Sequence, residues 1–123
     1  AANDLAKRAM DYSKENPLYV IAIGAITNVA SALLINPEIA ERIVIVWLGG
    51  HAAHIPAPVK EFNMVQDIAA SRVVMSCGMP FVQLPCHGVV SEFTASEYEL
   101  KHWLGGKNEL CDYLVDNTNI PNH

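Results

Sequence analysis

Apolar positions along the chain fall into two spacings. From Asp4 to Glu15, Leu5, Ala9 and Met10 share one stripe. Asn3 is placed to cap it, so a helix is predicted that ends at Asn16-Pro17. Leu18 to Ile23 is a short continuous apolar run closed by Gly24, the pattern of a strand. Thr27 or Asn28 is positioned to cap a helix through Leu34, and Asn36-Pro37 opens a short helical turn with proline at its favoured first position. Ile43 to Trp47 is apolar at every position and reads as a strand buried on both faces. Asp67 is set to cap a helix over Ile68 to Cys77, with Ala70, Val73, Val74 and Cys77 on one face and Gly78 as the stop. Phe81 to Leu84 is a third strand between Pro80 and Pro85. Thr94 and Glu97 have capping-box spacing for a helix to Leu104, and Asn108 caps a last helix from Glu109 to about Asp116. Strands alternating with helices predict an α/β fold, a partial, Rossmann-like open parallel sheet flanked by helices.

In such sheets ligands sit beyond the carboxyl ends of the strands. That directs attention to the loop after Ile43–Trp47, where Gly49-Gly50 leads to His51, His54 and, further on, Glu61-Phe62-Asn63. On extended backbone Glu61 and Asn63 would point the same way and Phe62 into the protein. A carboxylate beside an amide suits vicinal hydroxyls, since one accepts and the other both donates and accepts. The plain alternative is a surface glutamate with Asn63 capping the next helix.

Composition narrows the classes. The chain of 123 residues is 51% hydrophobic and 17% charged, with a net charge of −5 and no run of Lys or Arg, which excludes a phosphate-binding nucleic-acid surface. No apolar segment reaches the roughly 18 residues of a membrane span, and no signal-peptide pattern is visible. Three cysteines without tight spacing point to free thiols in a reducing, cytoplasmic compartment. His51, His54, Cys86 and His87 can be drawn as a zinc site. Adjacent Cys86 and His87 point apart on extended chain, however, and the short paired spacing of structural zinc is missing. The chain starts at Ala1-Ala2 and no strand precedes the first helix, so residues 1–123 are expected to be a single α/β domain fragment. The N-terminal and C-terminal parts of a catalytic domain would be missing from it.

Three pieces carry a resemblance. They are Ile23-Gly24-Ala25-Ile26-Thr27-Asn28, Leu48-Gly49-Gly50, and Glu61-Phe62-Asn63 followed by Asp67 and two alanines. Their order and spacing, across roughly residues 16–84, resemble the inosine–uridine-preferring nucleoside hydrolase family. The resemblance implies cleavage of the N-glycosidic bond of ribonucleosides to ribose and free base. The attacking water would be bound to Ca²⁺ and would meet an oxocarbenium-like transition state. It implies that Glu61 and Asn63 bind ribose hydroxyls, that Leu48 lines the sugar pocket, and that the backbone carbonyl of Ile23 is a Ca²⁺ ligand. His54 falls near the place of a missing pocket asparagine, and His51 is a further candidate. The Ile23 side chain itself is expected to be buried, and the loop from His51 to Lys60 to be mobile.

The departures matter as much. The family's aspartate cluster near the N-terminus, its general base and its downstream aspartate and histidine have no counterparts here. Asp4, Asp11, Asp67, Asp112 and Asp116 are neither adjacent nor alternating. A Ca²⁺ ion takes six to eight oxygens, so this chain is expected to bind none by itself and to be inactive alone, with no catalytic residue of its own. The partners expected are a ribonucleoside and, because a three-stranded parallel sheet has open edges, further copies of the chain. Two rival readings remain at this stage. One is a Rossmann-like nucleotide-binding module using Gly24 with Thr27-Asn28. The other is a non-catalytic interaction domain.

Overall fold

The computed structural model describes residues 1–55 and 60–118, so part of the loop expected to be mobile, residues 56–59, lies outside the described residues. The elements in chain order are α1 (Ala2–Arg8), β1 (Leu18–Ala22), α2 (Thr27–Ile35), β2 (Ile43–Leu48), α3 (Phe62–Val65), α4 (Ile68–Ser76), β3 (Phe81–Leu84), α5 (Glu97–Leu104) and α6 (Glu109–Thr118), with short 3-10 turns at Ala9–Asp11, Pro37–Glu41 and Val90–Glu92. Cα packing divides the chain into two units, 1–92 and 93 onward. Among the described residues no helix is long and apolar enough to cross a membrane.

The first unit is a parallel sheet, as the sequence pattern predicts, and its strand order is β1-β2-β3. Leu18 pairs with Ile43 and Ala22 with Trp47, while Ile45 pairs with Phe81 and Leu48 with Leu84. Ile43, Ile45 and Trp47 are fully buried on one face. They form the core with Ile26, Val29, Leu33, Ile39 and Val74, and Leu18, Val20 and Ala22 pack against it. Within this unit the other face is not covered by the described residues. Tyr19 is 65% exposed and Ile21 73%. Only the central strand β2 approaches burial on both sides, with alternate residues fully and partly buried. The apolar run of β1 therefore does not mean two covered faces. β1 lies at the sheet's edge and buries only every second residue.

Several local expectations shift. The first helix stops at Arg8, becomes a 3-10 turn and is extended at Tyr12. The guanidinium of Arg42 donates to the carbonyls of Met10 and Tyr12 at 3.3 and 2.8 Å, satisfying backbone groups that a longer helix would have paired internally. At α2 the N-cap is Ile26 and Thr27 is already helical. Asn36 caps the Pro37–Glu41 turn by accepting from the Glu38 N–H, and Asp67 caps α4 by accepting from the Ala70 N–H. In the second unit the capping box is Ser96 with Glu99, two residues beyond the predicted pair, and Asn108 Oδ1 accepts the Cys111 N–H at the start of α6.

Candidate functional site

Beyond the carboxyl ends of β1 and β2, four successive-pair carbonyls are held by side-chain donors. The Trp47 indole N–H donates to the Gly24 carbonyl at 2.8 Å. Asn63 Nδ2 donates to the Leu48 carbonyl at 2.9 Å and to the Ile23 carbonyl at 3.4 Å. Gln83 Nε2 donates to the Gly49 carbonyl at 2.8 Å. Ile23, Leu48, Glu61 and Asn63 thus converge in one place, although they lie far apart in the chain.

Glu61 is at the centre. It is extended and serves as the N-cap of α3, with Oε1 accepting from the Asn63 N–H at 3.0 Å and Oε2 from the Met64 N–H at 2.8 Å. Oε2 also accepts the Gly50 N–H at 2.8 Å, which ties the turn after β2 to the start of α3. The side chain is only 5% exposed. Glu61 is therefore neither a surface glutamate nor a carboxylate with both oxygens free. It is a buried clamp with little lone-pair capacity left over. Burial pushes its carboxyl up. The Asn63, Gly50 and Met64 N–H groups push it down, with the nearby His51 adding to them, and the net is below the ordinary carboxylate value.

Asn63 is helical and buried at 8% exposure. Both described hydrogen bonds of its side chain leave from Nδ2, so its Oδ1 is the side-chain atom not committed to backbone among the described residues. Phe62, expected to point inward, is 75% exposed, because the chain turns into α3 directly after Glu61 and the alternation of an extended strand no longer applies. The Ile23 side chain is likewise 76% exposed rather than buried. It follows the open face of β1, in step with Tyr19 and Ile21. Leu48 closes β2, and its side chain is half-buried.

The histidines make no described hydrogen bond to the side chains of this cluster, although His51 is near enough to Glu61 to help hold its carboxyl down. His51 Nδ1 accepts the His87 backbone N–H at 3.2 Å, and the two rings lie 5.0 Å apart. His51 Nε2 is buried without a partner among the described residues. The loop around it is joined to the loop after β3 by Cys86 N–H to the Gly50 carbonyl and Ala52 N–H to the His87 carbonyl, at 2.8 and 3.0 Å. His54 packs over Gly88, where an added Cβ would meet its Cε1 at 3.3 Å. No hydrogen bond among the described residues joins His54 to Glu61 or Asn63.

Sequence reasoning overlooked Trp47 and Gln83. Both are on the core face of the sheet, where a pattern of apolar strands reports only packing. A polar Gln83 inside the four-residue strand β3 was the one available signal. The bond from Thr27 Oγ1 to Asp67 Oδ2, at 2.7 Å, was also missed and joins the starts of α2 and α4.

The Ca²⁺ implied by the family resemblance does not fit the donors that this chain brings together. Around the Ile23 carbonyl the neighbour is an amide N–H, not an anionic oxygen. The nearest carboxylate in the cluster, Glu61, is taken up by backbone N–H groups. Among the described residues no three His, Cys, Asp or Glu side chains form a group able to hold a metal ion.

Comparison with known proteins agrees with the motifs. A family model described as inosine-uridine preferring nucleoside hydrolase matches residues 1–120. An uncharacterized protein of Schizosaccharomyces pombe is 36% identical over 69 residues, which are 54% of this chain and 22% of that protein. A probable ribonucleoside hydrolase of Dictyostelium discoideum is 28% identical over 83 residues, 66% of this chain and 24% of that one. Among solved structures, a purine-preferring ribonucleoside hydrolase from Gardnerella vaginalis superposes with a TM-score of 0.81 at 26% identity, over 94% of this chain and 37% of its own. An inosine-uridine preferring nucleoside hydrolase from Bacillus anthracis gives 0.73 at 18% identity, over 93% and 40%, a likeness of fold. The chain thus spans under a quarter of the length of these curated relatives. The family model covers nearly every residue, and two of the three motifs lie at the ends of β1 and β2 while the third opens α3 beside them. The chain belongs to the inosine-uridine preferring nucleoside hydrolase family.

Proposed function

We propose that this chain is part of a ribonucleoside hydrolase and carries the ribose-facing side of its site. The observation that supports this most is the Asn63 amide. Its Nδ2 is spent on the Ile23 and Leu48 carbonyls, which fixes the plane of the group and leaves Oδ1 to accept from a hydroxyl. Glu61 holds Asn63 and Gly50 in place, and its remaining lone-pair capacity is on Oε1, which accepts a single N–H. Two vicinal sugar hydroxyls, one donating to Oδ1 of Asn63 and the other to Oε1 of Glu61, would be read by two rigid acceptors. Leu48 would supply apolar contact beside them. His51 and His54 belong to the outer rim in this reading. The names of the Dictyostelium and Gardnerella relatives support ribonucleosides as the substrate class.

The chain alone neither holds Ca²⁺ nor hydrolyses nucleosides in this proposal. The Ile23 carbonyl becomes a cation ligand only where anionic oxygens from elsewhere join it. Residues 1–123 are accordingly one part of a larger catalytic domain. Self-association through the uncovered sheet is part of the proposal, supported by the exposure of Tyr19 and Ile21. So is a cytoplasmic setting, supported by the free thiols of Cys77, Cys86 and Cys111. The test is a titration of isotope-labelled chain with D-ribose, inosine, uridine and, as the contrast, a nucleoside triphosphate. Ribose and both nucleosides should shift the Asn63 side-chain amide and the Gly50 N–H. Shifts with the triphosphate alone, clustered at Gly24 and Thr27, would favour a nucleotide-binding module instead. No shift with any of them would favour a non-catalytic interaction domain.

A further inference from the structure

Trp47 is the largest fully buried side chain of the protein, and core packing alone would account for its ring. The ring lies 6.4 Å from Phe81 and directly beneath Gly49, where an added Cβ would come within 2.4 Å of it. Packing does not account for its nitrogen. A buried indole N–H needs an acceptor, and the one it finds is outside its own strand. The Trp47 backbone is in register with Ala22, the last residue of β1, and its indole reaches past that residue to the Gly24 carbonyl at 2.8 Å.

That bond has a consequence for the neighbouring peptide. The Ile23–Gly24 peptide plane carries the Ile23 carbonyl. On one side it is fixed by the pairing of β1 with β2, and on the other by the Trp47 bond to Gly24. As a glycine, Gly24 puts no side chain in the way of a turn, and among the described residues no atom lies within 4 Å of where one would stand. On the Gly24 side the indole bond is the side-chain contact that holds this turn, ahead of the anchoring of Ile26 at the start of α2. Asn63 reads that direction, since its Nδ2 is shared between the Ile23 and Leu48 carbonyls.

We infer that Trp47 is a positioning residue: its indole N–H, by holding the Gly24 carbonyl, aims the Ile23 carbonyl and through it orients the Asn63 amide toward a ribose hydroxyl. This deepens the ribose-site reading and rests on it for the ligand. Trp47 touches no substrate itself. It acts through two backbone carbonyls and one amide.

The experiment compares the full chain with Trp47→Phe and with a variant carrying 3-benzothienylalanine at position 47, which keeps the size of the ring and replaces the N–H with sulfur. The first readout needs no ligand. Both replacements should shift the Asn63 side-chain amide and the Ile23 carbonyl carbon, and should speed exchange of the Asn63 amide protons by about three- to tenfold, the worth of one hydrogen bond. The Gln83 side-chain amide and the Ala70 N–H should keep their wild-type exchange. The second readout is affinity for D-ribose, expected to weaken by a similar factor. Should Trp47→Phe fail to fold, the benzothienyl variant decides. An unchanged Asn63 amide in that variant would overturn the inference. So would equal loosening of Asn63, Gln83 and Ala70, which marks Trp47 as core packing only. If the wild-type chain shows no ribose binding, the ribose reading fails, while the Asn63 exchange still decides whether Trp47 positions that amide.

Discussion

The carboxylate of Glu61 accepts the backbone N–H of Gly50 at 2.8 Å across a separation of 11 residues. The same oxygen accepts the Met64 N–H, and its partner oxygen the Asn63 N–H. One side chain therefore closes the loop after β2 and starts α3. The helix is only one turn long, Phe62–Val65, and a single turn has little stability of its own. The position of Asn63 depends on this clamp.

Glu61→Ala should accordingly destabilise the chain well beyond an ordinary surface change. It removes a helix cap, worth about 1 kcal/mol, and strands a buried Gly50 N–H, worth about 1–3 kcal/mol. The expected loss is about 2–4 kcal/mol, read from urea unfolding with the slope unchanged. A loss below about 1 kcal/mol would mean that the clamp carries little of the loop's stability.

Acid should release the same clamp. The Glu61 carboxyl titrates below its ordinary value of 4.5 in the folded chain, despite burial, because three backbone N–H groups favour the charged form. A group depressed on folding stabilises the fold fully above its unfolded value. That stability is lost as pH falls through the folded value. The loss should therefore begin near pH 4.5 and continue below it. Asp67 and Glu99 are depressed as well, so a background slope is expected from them. Glu61→Gln should flatten the acid limb relative to wild type while both chains keep the slope that comes from the other carboxyls. Parallel acid limbs in urea melts down to about pH 3 would remove Glu61 from the acid sensitivity.

Gly50 and Gly78 separate strain from space. Both have φ +76. At Gly78 an added Cβ has nothing within 4 Å, whereas at Gly50 it would lie 2.6 Å from Gln83 Nε2 and 2.9 Å from Met64 Cε. Gly78→Ala should cost about 1–2 kcal/mol from the left-handed backbone alone. Gly50→Ala adds the displacement of Gln83 from the Gly49 carbonyl, a further loss of about 1 kcal/mol. Equal costs for the two in chemical denaturation would show that Gln83 moves aside without penalty.

The comparison also shows what a sequence carries. All three strands and their parallel direction are legible, because short apolar runs separated by helical patterns admit few other arrangements, but the place of β1 at the sheet's edge is not. Burial on the second face was not, since hydropathy at Tyr19, Ile21 and Ile23 says that the residues are apolar and not that anything covers them. The end of α1 depends on Arg42, some 30 residues away. The capping box was misplaced because Thr94–Glu97 and Ser96–Glu99 offer the same spacing in overlapping windows. At the site, motif order located Glu61 and Asn63, but their hydrogen bonds run to backbone groups of Ile23, Leu48 and Gly50. Backbone carries no residue-specific signal for a sequence to reveal.

Hydrolysis of a glycosidic bond needs a water made nucleophilic near neutral pH, from a bulk pKa of roughly 15.7. A carboxylate can serve as base only if its lone pairs face that water. In this chain the buried Glu61 carboxylate faces three backbone N–H groups, and it is held below its ordinary pKa, which makes it a weaker base still. Asp67 is bound to Thr27 and to the Ala70 N–H. The neutral oxygens at the strand ends, Ile23 carbonyl and Asn63 Oδ1, orient but do not accept a proton at neutral pH. The 123-residue chain should therefore release no free base from inosine or uridine, and no phenol from p-nitrophenyl riboside, in either added Ca²⁺ or EDTA. Ribose should still perturb Asn63 in the same samples. Calcium-dependent turnover by the purified chain would place the metal and the base on residues assigned neither role here. Turnover in EDTA would point to a base within the Glu61 cluster, and Glu61→Gln would then abolish it.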